Sequence, residues 1–449
     1  MACSEMLVAE DTSKGKSAVV RQRHLIETRV LIAVVGAFLI AAVVVGCGGG
    51  GPGNIDGHDG EQGAGATNEE TTAPKGDRTA TETTQETVAL DVKVVSPPGR
   101  ANLPRGFGGG SLWATDFQPI SAACDDVLYP GEGPCSAPAG ASASASPYGG
   151  GQRTLLRRLD PETGEEEEAA IPLEGFNDAF INDAFTQVTS GAGSVWVSSG
   201  YYEMGPAPKR GPGDVVFRID PQTNQVVDRI PVDPPTALAF GQGSVWVTSA
   251  SYGTVTRIDP ETEEVVAKIE VGRAPLDIAV DESSGAVWVA SSYLPKDYGG
   301  YDTPQNSQAR NLTRVDSATN RVVAEIPIAA DSLYGGAHTV AVGEGAVWTH
   351  GDVSLRDSKF FKVDPATNEV SATASHNISA SHLVVYGGSV WAMGQEVREV
   401  RLVRVDPRTM EVVASEDIGP IPKIGEGGLA AGGGYVWFSS GEGLARVAP

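Results

Sequence analysis

Positive charge is scarce in this chain. Its 449 residues carry 33 Lys and Arg against 57 Asp and Glu, a formal net charge of -24. Nucleic acid is therefore not the expected partner, because phosphates are gathered by clustered Lys and Arg. The excess acid reads first as solubility. No linear calcium loop and no G-x-S-x-G nucleophile elbow occurs, which removes two sequence-readable routes to a metal or a serine nucleophile. Long apolar runs are just as rare. There is one, Val30 to Gly46, preceded by Arg21, Arg23 and Arg29 and followed by Cys47 and a run of glycines.

The end of that run, Val44-Val45-Gly46-Cys47, resembles a bacterial lipoprotein signal, in which a small residue precedes a cysteine that receives lipid and becomes the mature N-terminus. Residues 1–46 are then the signal peptide and Cys47 the lipidation site. The alternative is an uncleaved membrane anchor, for which about 17 apolar residues barely suffice. In both cases the basic flank stays cytoplasmic and the remainder is extracytoplasmic, anchored to the outer face of the membrane. Cysteine usage agrees. Of four cysteines, Cys3 lies in the presequence, which leaves Cys124 and Cys135 in CDDVLYPGEGPC. Outside the cytoplasm they are expected to form a disulfide, a reactive or metal-binding pair being the other reading. Residues 47–86 hold one Ile and no aromatic residue and cannot form a core. They read as a flexible tether of roughly 40 residues with an end-to-end span of about 35 Å.

What the chain does have is a repeat. All seven tryptophans sit in copies of one string: Trp113 in GGGSLWAT, Trp196 in GAGSVWVSS, Trp246 in GQGSVWVTS, Trp288 in SSGAVWVAS, Trp348 in GEGAVWTH, Trp391 in YGGSVWAMG and Trp437 in GGGYVWFSS. A second string follows most of them, as in FRIDPQTN at 217 and TRIDPETE at 256, and leads into a β-branched run such as QVVDRIPV. In D-P-x-T the Asp bonds the backbone ahead and Pro presets φ, giving a type I turn. One unit thus reads strand a, Gly-rich turn, strand b with the tryptophan, variable loop, strand c, Asp-Pro turn, strand d. A lone four-stranded meander exposes both faces, so copies must stack, and radial stacking gives a β-propeller.

The expected fold is all-β, a seven-bladed β-propeller of four-stranded antiparallel blades over residues 87–449, with the tryptophans as wedges between blades. The last unit ends at GLARVAP, after strand c. ETVALDVKVVSPP at 86–98 has the pattern of strand d and lacks a strand c of its own. Val88 to Val94 is therefore expected to complete the last blade, so that both ends of the chain close the ring. The strand-c cations Arg158, Arg218, Arg257, Arg314, Lys362, Arg404 and Arg446 form a column, most with an Asp two residues on, and structural ion pairs are expected there. GAGSVW and GQGSVW look phosphate-binding but precede no helix, so they read as hairpin turns.

In such a blade the b-c and d-a loops share one face, the top, and they hold nearly every insertion. Variable loops on a rigid scaffold are where binding residues gather. Most tyrosines fall there. Tyr129, Tyr148, Tyr201, Tyr202, Tyr252, Tyr293, Tyr298, Tyr301 and Tyr334 all do, and Tyr201, Tyr202, Tyr252, Tyr293, Tyr298, Tyr301 and Tyr334 are the candidate ligand contacts for a protein, glycan or small molecule. The competing reading has them anchoring long loops onto the blade tops. His338, His350, His376 and His382 are also placed near the top by topology and could bind a metal such as zinc or supply a base, with Asp277, Asp352 and Glu396 the nearest carboxylates.

The order G-x-G-S/A-V-W, R-I/V-D-P-x-T, V-V-x-x-I-x-V is similar to YVTN-type propellers and the related virginiamycin B lyase-like repeats. The Trp-Asp ending of WD repeats is absent. The lyase resemblance implies a magnesium-dependent elimination that opens a cyclic depsipeptide ester, and His338, in AHTVAV, and His382, in SHLVVY, occupy places similar to its catalytic histidines. The glutamate that should follow a tryptophan does not appear: the third residues on are Asp116, Ser199, Ser249, Ser291, Gly351, Gly394 and Ser440. The expected function is therefore that of a monomeric, surface-anchored binding module with no obligate cofactor. A magnesium-dependent lyase or hydrolase and a structural spacer are the alternatives.

Overall fold

A computed structural model describes residues 89–96, 103–119, 152–173, 186–198, 214–272, 274–292, 310–329, 336–354, 357–396, 399–419 and 427–449. Cys47, Cys124, Cys135 and six of the seven candidate tyrosines (Tyr201, Tyr202, Tyr293, Tyr298, Tyr301 and Tyr334) lie outside these residues. Among the described residues no helix is long and apolar enough to cross a membrane.

The described residues form seven four-stranded antiparallel sheets, and in six of them the strands follow chain order a-b-c-d. The seventh sheet is assembled from both ends of the chain. Its strands a, b and c are Leu429–Gly432, Tyr435–Ser440 and Gly443–Val447, and its strand d is Val92–Ser96. The register is Val92 to Val447, Lys93 to Arg446 and Val94 to Ala445, with an irregularity before Ser96. The expected closure is thus present, shifted a few residues C-terminal of Val88 to Val94. Each strand a packs on the strand a of the next blade, and blade 7 packs on blade 1, which completes the ring.

The tryptophans sit at the seams. Each is essentially inaccessible, because strand b of each blade directs it onto the neighbouring blade; Trp113, for example, packs with Val188, Val195 and Val197 of blade 2. In every blade but the fourth the indole N–H also closes the local turn. Trp113, Trp196, Trp246 and Trp348 donate to the carbonyl of Gly108, Gly191, Gly241 and Gly343 at 2.9 to 3.1 Å. Those turns need glycine for two reasons. In Gly241-Gln242-Gly243 the last two residues have φ of 51° and 65°, the left-handed pair of a type I′ hairpin. A Cβ on Gly241 would stand 2.4 Å from Val280 of the next blade.

The Asp-Pro turns are wider than type I. The amide of the fifth residue returns to the Asp carbonyl, as in Asn224 to Asp220 and Asn368 to Asp364, both 2.9 Å, and that residue is left-handed, with φ of 56° and 60° at the two asparagines. Asparagine tolerates this conformation best after glycine.

The strand-c cations are not paired as expected. Each Asp is spent on its own turn: Asp259 Oδ1 accepts the amides of Glu261 and Thr262 at 2.8 and 3.1 Å. The cation instead lies over its own blade's tryptophan and, in the six blades whose next blade carries a c-d turn, reaches that turn, whereas Arg404 bonds Ser389 of its own strand b. Arg257 sits 4.9 Å from the Trp246 ring centroid and donates to the Ser317 carbonyl at 2.6 Å and to Asn320 at 3.0 Å. Arg158 reaches the Pro221 carbonyl, Arg314 that of Pro365, Lys362 that of Pro407, and Arg446 that of Pro161, across the closure. Each staple joins strand b, strand c and the following blade. Arg257→Met keeps the aliphatic packing and removes the cation–π contact and three hydrogen bonds, the third being from Nε to Ser244 Oγ at 2.9 Å, so it is expected to cost about 2 kcal/mol. Urea denaturation would show this as a lower midpoint with an unchanged slope, and an unchanged midpoint would mean the staple adds nothing.

Candidate functional site

Blade 5 departs from the repeat in one place. Along strand b every second residue shares a face, so the positions two and four after the tryptophan point into the same seam as the indole. The first of these is Thr115, Ser198, Thr248, Ala290, Met393 and Ser439 in six blades, all buried. In blade 5, whose strand b is Ala346–Ser354, it is His350, with no exposure, and the next is Asp352.

Two further imidazoles meet His350. His338 precedes strand a of blade 5 (Thr339–Gly343), and its backbone amide donates to the His350 carbonyl at 2.9 Å. The two rings are 5.8 Å apart between centroids. His376 is the last residue of strand d (Glu369–His376), 5.2 Å from His350 and stacked on Phe360 at 3.9 Å. Asp352 faces both His338 and His350: its Oδ2 is 3.6 Å from His338 Nε2 and its Oδ1 3.7 Å from His350 Nε2. Ser358 Oγ donates to the same carboxylate at 2.5 Å. Burial holds all three imidazoles neutral. The His376 pKa falls to about 4, chiefly through burial, and that of His350 is held well below the ordinary imidazole value by burial and by its two imidazole neighbours. Burial also lowers His338, which the Asp352 carboxylate partly offsets.

His382 stands apart from this group. It lies in strand a of blade 6 (Ser379–Tyr386), hydrogen-bonds Ser381 at 2.9 Å, and has its pKa lowered to about 3 by burial and by the Arg105 guanidinium. Arg105 belongs to strand a of blade 1 (Leu103–Gly108), whose pairing with strand b (Ser111–Pro119) is irregular between Pro104 and Gly106. That bulge re-aims its side chain toward Thr115 Oγ1, at 3.1 Å, and the Gly427 carbonyl of blade 7, at 3.4 Å. Asp277, on strand a of blade 4, accepts the amides of Ile278 and of Val340 in blade 5, both at 2.9 Å. Burial outweighs those bonds and raises its pKa to about 6. Glu396 is an ordinary ion pair with Arg401. Tyr252, the one candidate tyrosine described, is 41 % exposed, with Lys268 Nζ 5.3 Å from its ring centroid.

Topology thus brings together three of the four histidines and one of the three carboxylates singled out in the sequence. Asp352 was legible as a nearby acid, but counting three residues from the tryptophan passes over it, because the shared face falls at two and four. Arg105 carried no sequence signal. Its role depends on a bulge, whereas that of the buried Arg157, which pairs with Asp116 at 2.7 Å and Glu166 at 2.6 Å, depends on which residues face it across regularly paired strands.

The residues present do not fit the magnesium that the lyase resemblance implies. That ion takes oxygen donors in octahedral geometry, whereas the cluster offers imidazoles and a single carboxylate already engaged by Ser358. Among the described residues no group of three or more His, Cys, Asp or Glu side chains converges as a metal ion requires.

No family model matches the chain. No curated protein matches it either. Solved structures do: BamB from Moraxella catarrhalis is similar at 14 % identity over 66 % of this chain and 80 % of that one, with a TM-score of 0.42. The WD40 β-propeller domain of Doa1 is similar at 11 % identity over 80 % and 97 % of the two chains, with a TM-score of 0.48. These likenesses concern fold, and no residue role transfers through them.

Proposed function

We propose that this chain is a lipid-anchored, extracytoplasmic binding module that recognises a protein, glycan or small ligand with the top of the propeller. The observation that carries the reading is an asymmetry between the two ends of the ring. At the lower end the Gly turns, Asp-Pro turns and cation staples repeat from blade to blade. At the upper end the repeat is abandoned: Arg105, Asp277, His338, Asp352 and His382 hold places that scaffold residues fill elsewhere, and the inserted loops leave from the same end. A repeat kept uniform at one end and varied at the other is what a scaffold with one recognition face needs. The anchor is the lipid on Cys47, and the acidic tether holds the ring clear of the membrane.

Binding would be tested with the tethered protein on a glycan array and in capture from cell-surface extracts. Tyr252→Ala combined with His382→Ala is expected to lose at least tenfold in affinity for whatever is captured, while Glu261→Lys on the lower face loses nothing. Equal loss in both variants, or loss only in the second, overturns the reading. Mass spectrometry of the membrane-extracted chain is expected to show lipid on Cys47, absent in Cys47→Ser.

A lyase is the second reading, favoured by one observation: His338, partly exposed, is backed by the buried Asp352 carboxylate at 3.6 Å, an arrangement suited to a general base. Turnover of a streptogramin B substrate that is abolished by Asp352→Asn would support it. No turnover in the intact protein removes it.

A further inference from the structure

The imidazoles of blade 5 do more than fill the seam. The entry into blade 6, a crossover at residues 377–380 whose last two residues open strand a, is held by two of them acting as hydrogen-bond acceptors. Ile378 N–H donates to His376 Nδ1 and Ala380 N–H donates to His350 Nε2, both at 3.3 Å. Ile378 and Ala380 are themselves buried against Trp348 and Leu383. A neutral imidazole has one acceptor nitrogen, and both rings spend it on this crossover; an imidazolium has none.

We propose that residues 377–380 form an acid-operated latch, in which protonation of His350 and His376 turns both acceptors into donors that face backbone N–H groups and so releases the upper end of the seam between blades 5 and 6 while the rest of the ring stays closed. The groups around the pair offset the charge only in part: backbone hydrogen bonds at Ile378, for both rings, and at Lys359, for His376, favour the protonated form, and burial outweighs them. Strand b contributes one carboxylate, Asp352, which already faces His338 as well as His350. Strand c contributes Asp357, which acts on His376, and Phe360, an apolar wall. Blade 6 presents the two amides, and blade 4 presents Asp277, which is engaged by Ile278 and Val340. Two imidazoliums about 5 Å apart, with His338 as a third, would repel one another in a seam where His350 has no exposure. The neutral state is set mainly by burial in both rings.

The sign follows from linkage. The open crossover exposes the imidazoles, which then take up protons near their ordinary value of about 6.5, while the closed seam resists protonation. Closure is therefore complete above about pH 6.5 and is lost as pH falls toward the depressed value of about 4. Each proton taken up on opening multiplies the open population by about tenfold per pH unit within that window.

Hydrogen exchange of the intact protein between pH 7.5 and 5, corrected for intrinsic rates, reads this directly. Protection at Ile378 and Ala380 is expected to fall by a factor approaching 100 per pH unit near pH 5. The equivalent crossover of blade 3, where the Val271 amide bonds the Gly253 carbonyl, stays flat. His350→Met borrows the residue that blade 6 uses at this place, and His376→Phe keeps the stacking; each is expected to halve the logarithmic slope, and the two together to abolish it. Should the variants fail to fold, histidine C2-proton NMR of the unaltered protein decides: two imidazole titrations concurrent with loss of the 378–380 amides support the latch. The proposal is overturned if both crossovers lose protection in parallel, if the double variant keeps the slope, or if the imidazoles titrate near 6.5 without any change at 378–380.

Discussion

A chain that begins at Leu103 melts roughly 10 °C below one that begins at Cys47, and it aggregates on heating. The expectation rests on what strand d of blade 7 covers. Leu90 and Val92 pack against Phe438, Ala445 and Val447, and Val95 packs in the next seam with Leu112 and Trp437. Three partly buried aliphatic side chains contribute about 1 to 1.5 kcal/mol each, for a sum of about 4 kcal/mol before the backbone pairing is counted. In a domain of about 360 residues each kcal/mol lowers Tm by roughly 1.3 °C, so these side chains account for about 5 °C and the lost strand pairing for the remainder. Removing the strand also bares the edge of Gly443–Val447, and an unpaired edge templates association. Calorimetry measures the first effect and light scattering the second. Val92→Asp, which leaves the chain length intact, is expected to reproduce about half of the shift. An unchanged melting temperature in the shortened chain would mean that the ring does not depend on its terminal strand.

That closure could be read from the sequence because it is a bookkeeping problem in strands: one unit had three and one stretch had a strand without a unit. The tryptophan seams were legible for a similar reason, since a bulky residue at one position of every copy must do the same work in each. What escaped were contacts between copies. The strand-c cations recur with an Asp two residues on, so sequence proximity pairs them, yet the Asp is consumed by its own turn amides and the guanidinium reaches the next blade, a partner about 60 residues away in the case of Arg257 and Ser317. The histidines were visible as a group and their convergence was not. His338, His350 and His376 come from three strands, and only the antiparallel pairing of Thr339 with His350 and of Ser358 with His376 places them together. His382 looks equivalent to His338 by position, but it lies past an irregularity in its strand between Ala380 and His382, and its electrostatic partner is Arg105.

The tryptophans offer a comparison internal to the repeat. Trp246→Ala empties a seam at the centre of a cluster that includes Val255, Ile269, Ile278 and Val287, and is expected to cost about 4 kcal/mol. Trp246→Phe costs less but still leaves the Gly241 carbonyl, bonded by the indole at 3.0 Å, without its donor in a buried turn. Trp288 differs. Its turn, Asp281 to Ala286, is longer than Gly241 to Ser244 in blade 3, so the glycine carbonyl is not presented, and the Trp288 indole N–H has no hydrogen-bond partner in the structure. Trp288→Phe therefore removes a buried donor that was already unsatisfied. Both indoles carry a stacked arginine, Arg257 at 4.9 Å and Arg314 at 5.5 Å, so that contribution largely cancels between the two sites, as does the lost volume. The difference that remains is one buried hydrogen bond, and Trp246→Phe is expected to destabilise by about 1.5 kcal/mol more than Trp288→Phe. Urea midpoints of the two variants test this; equal shifts would show that the indole N–H to glycine bond contributes nothing and that the tryptophans act by volume alone.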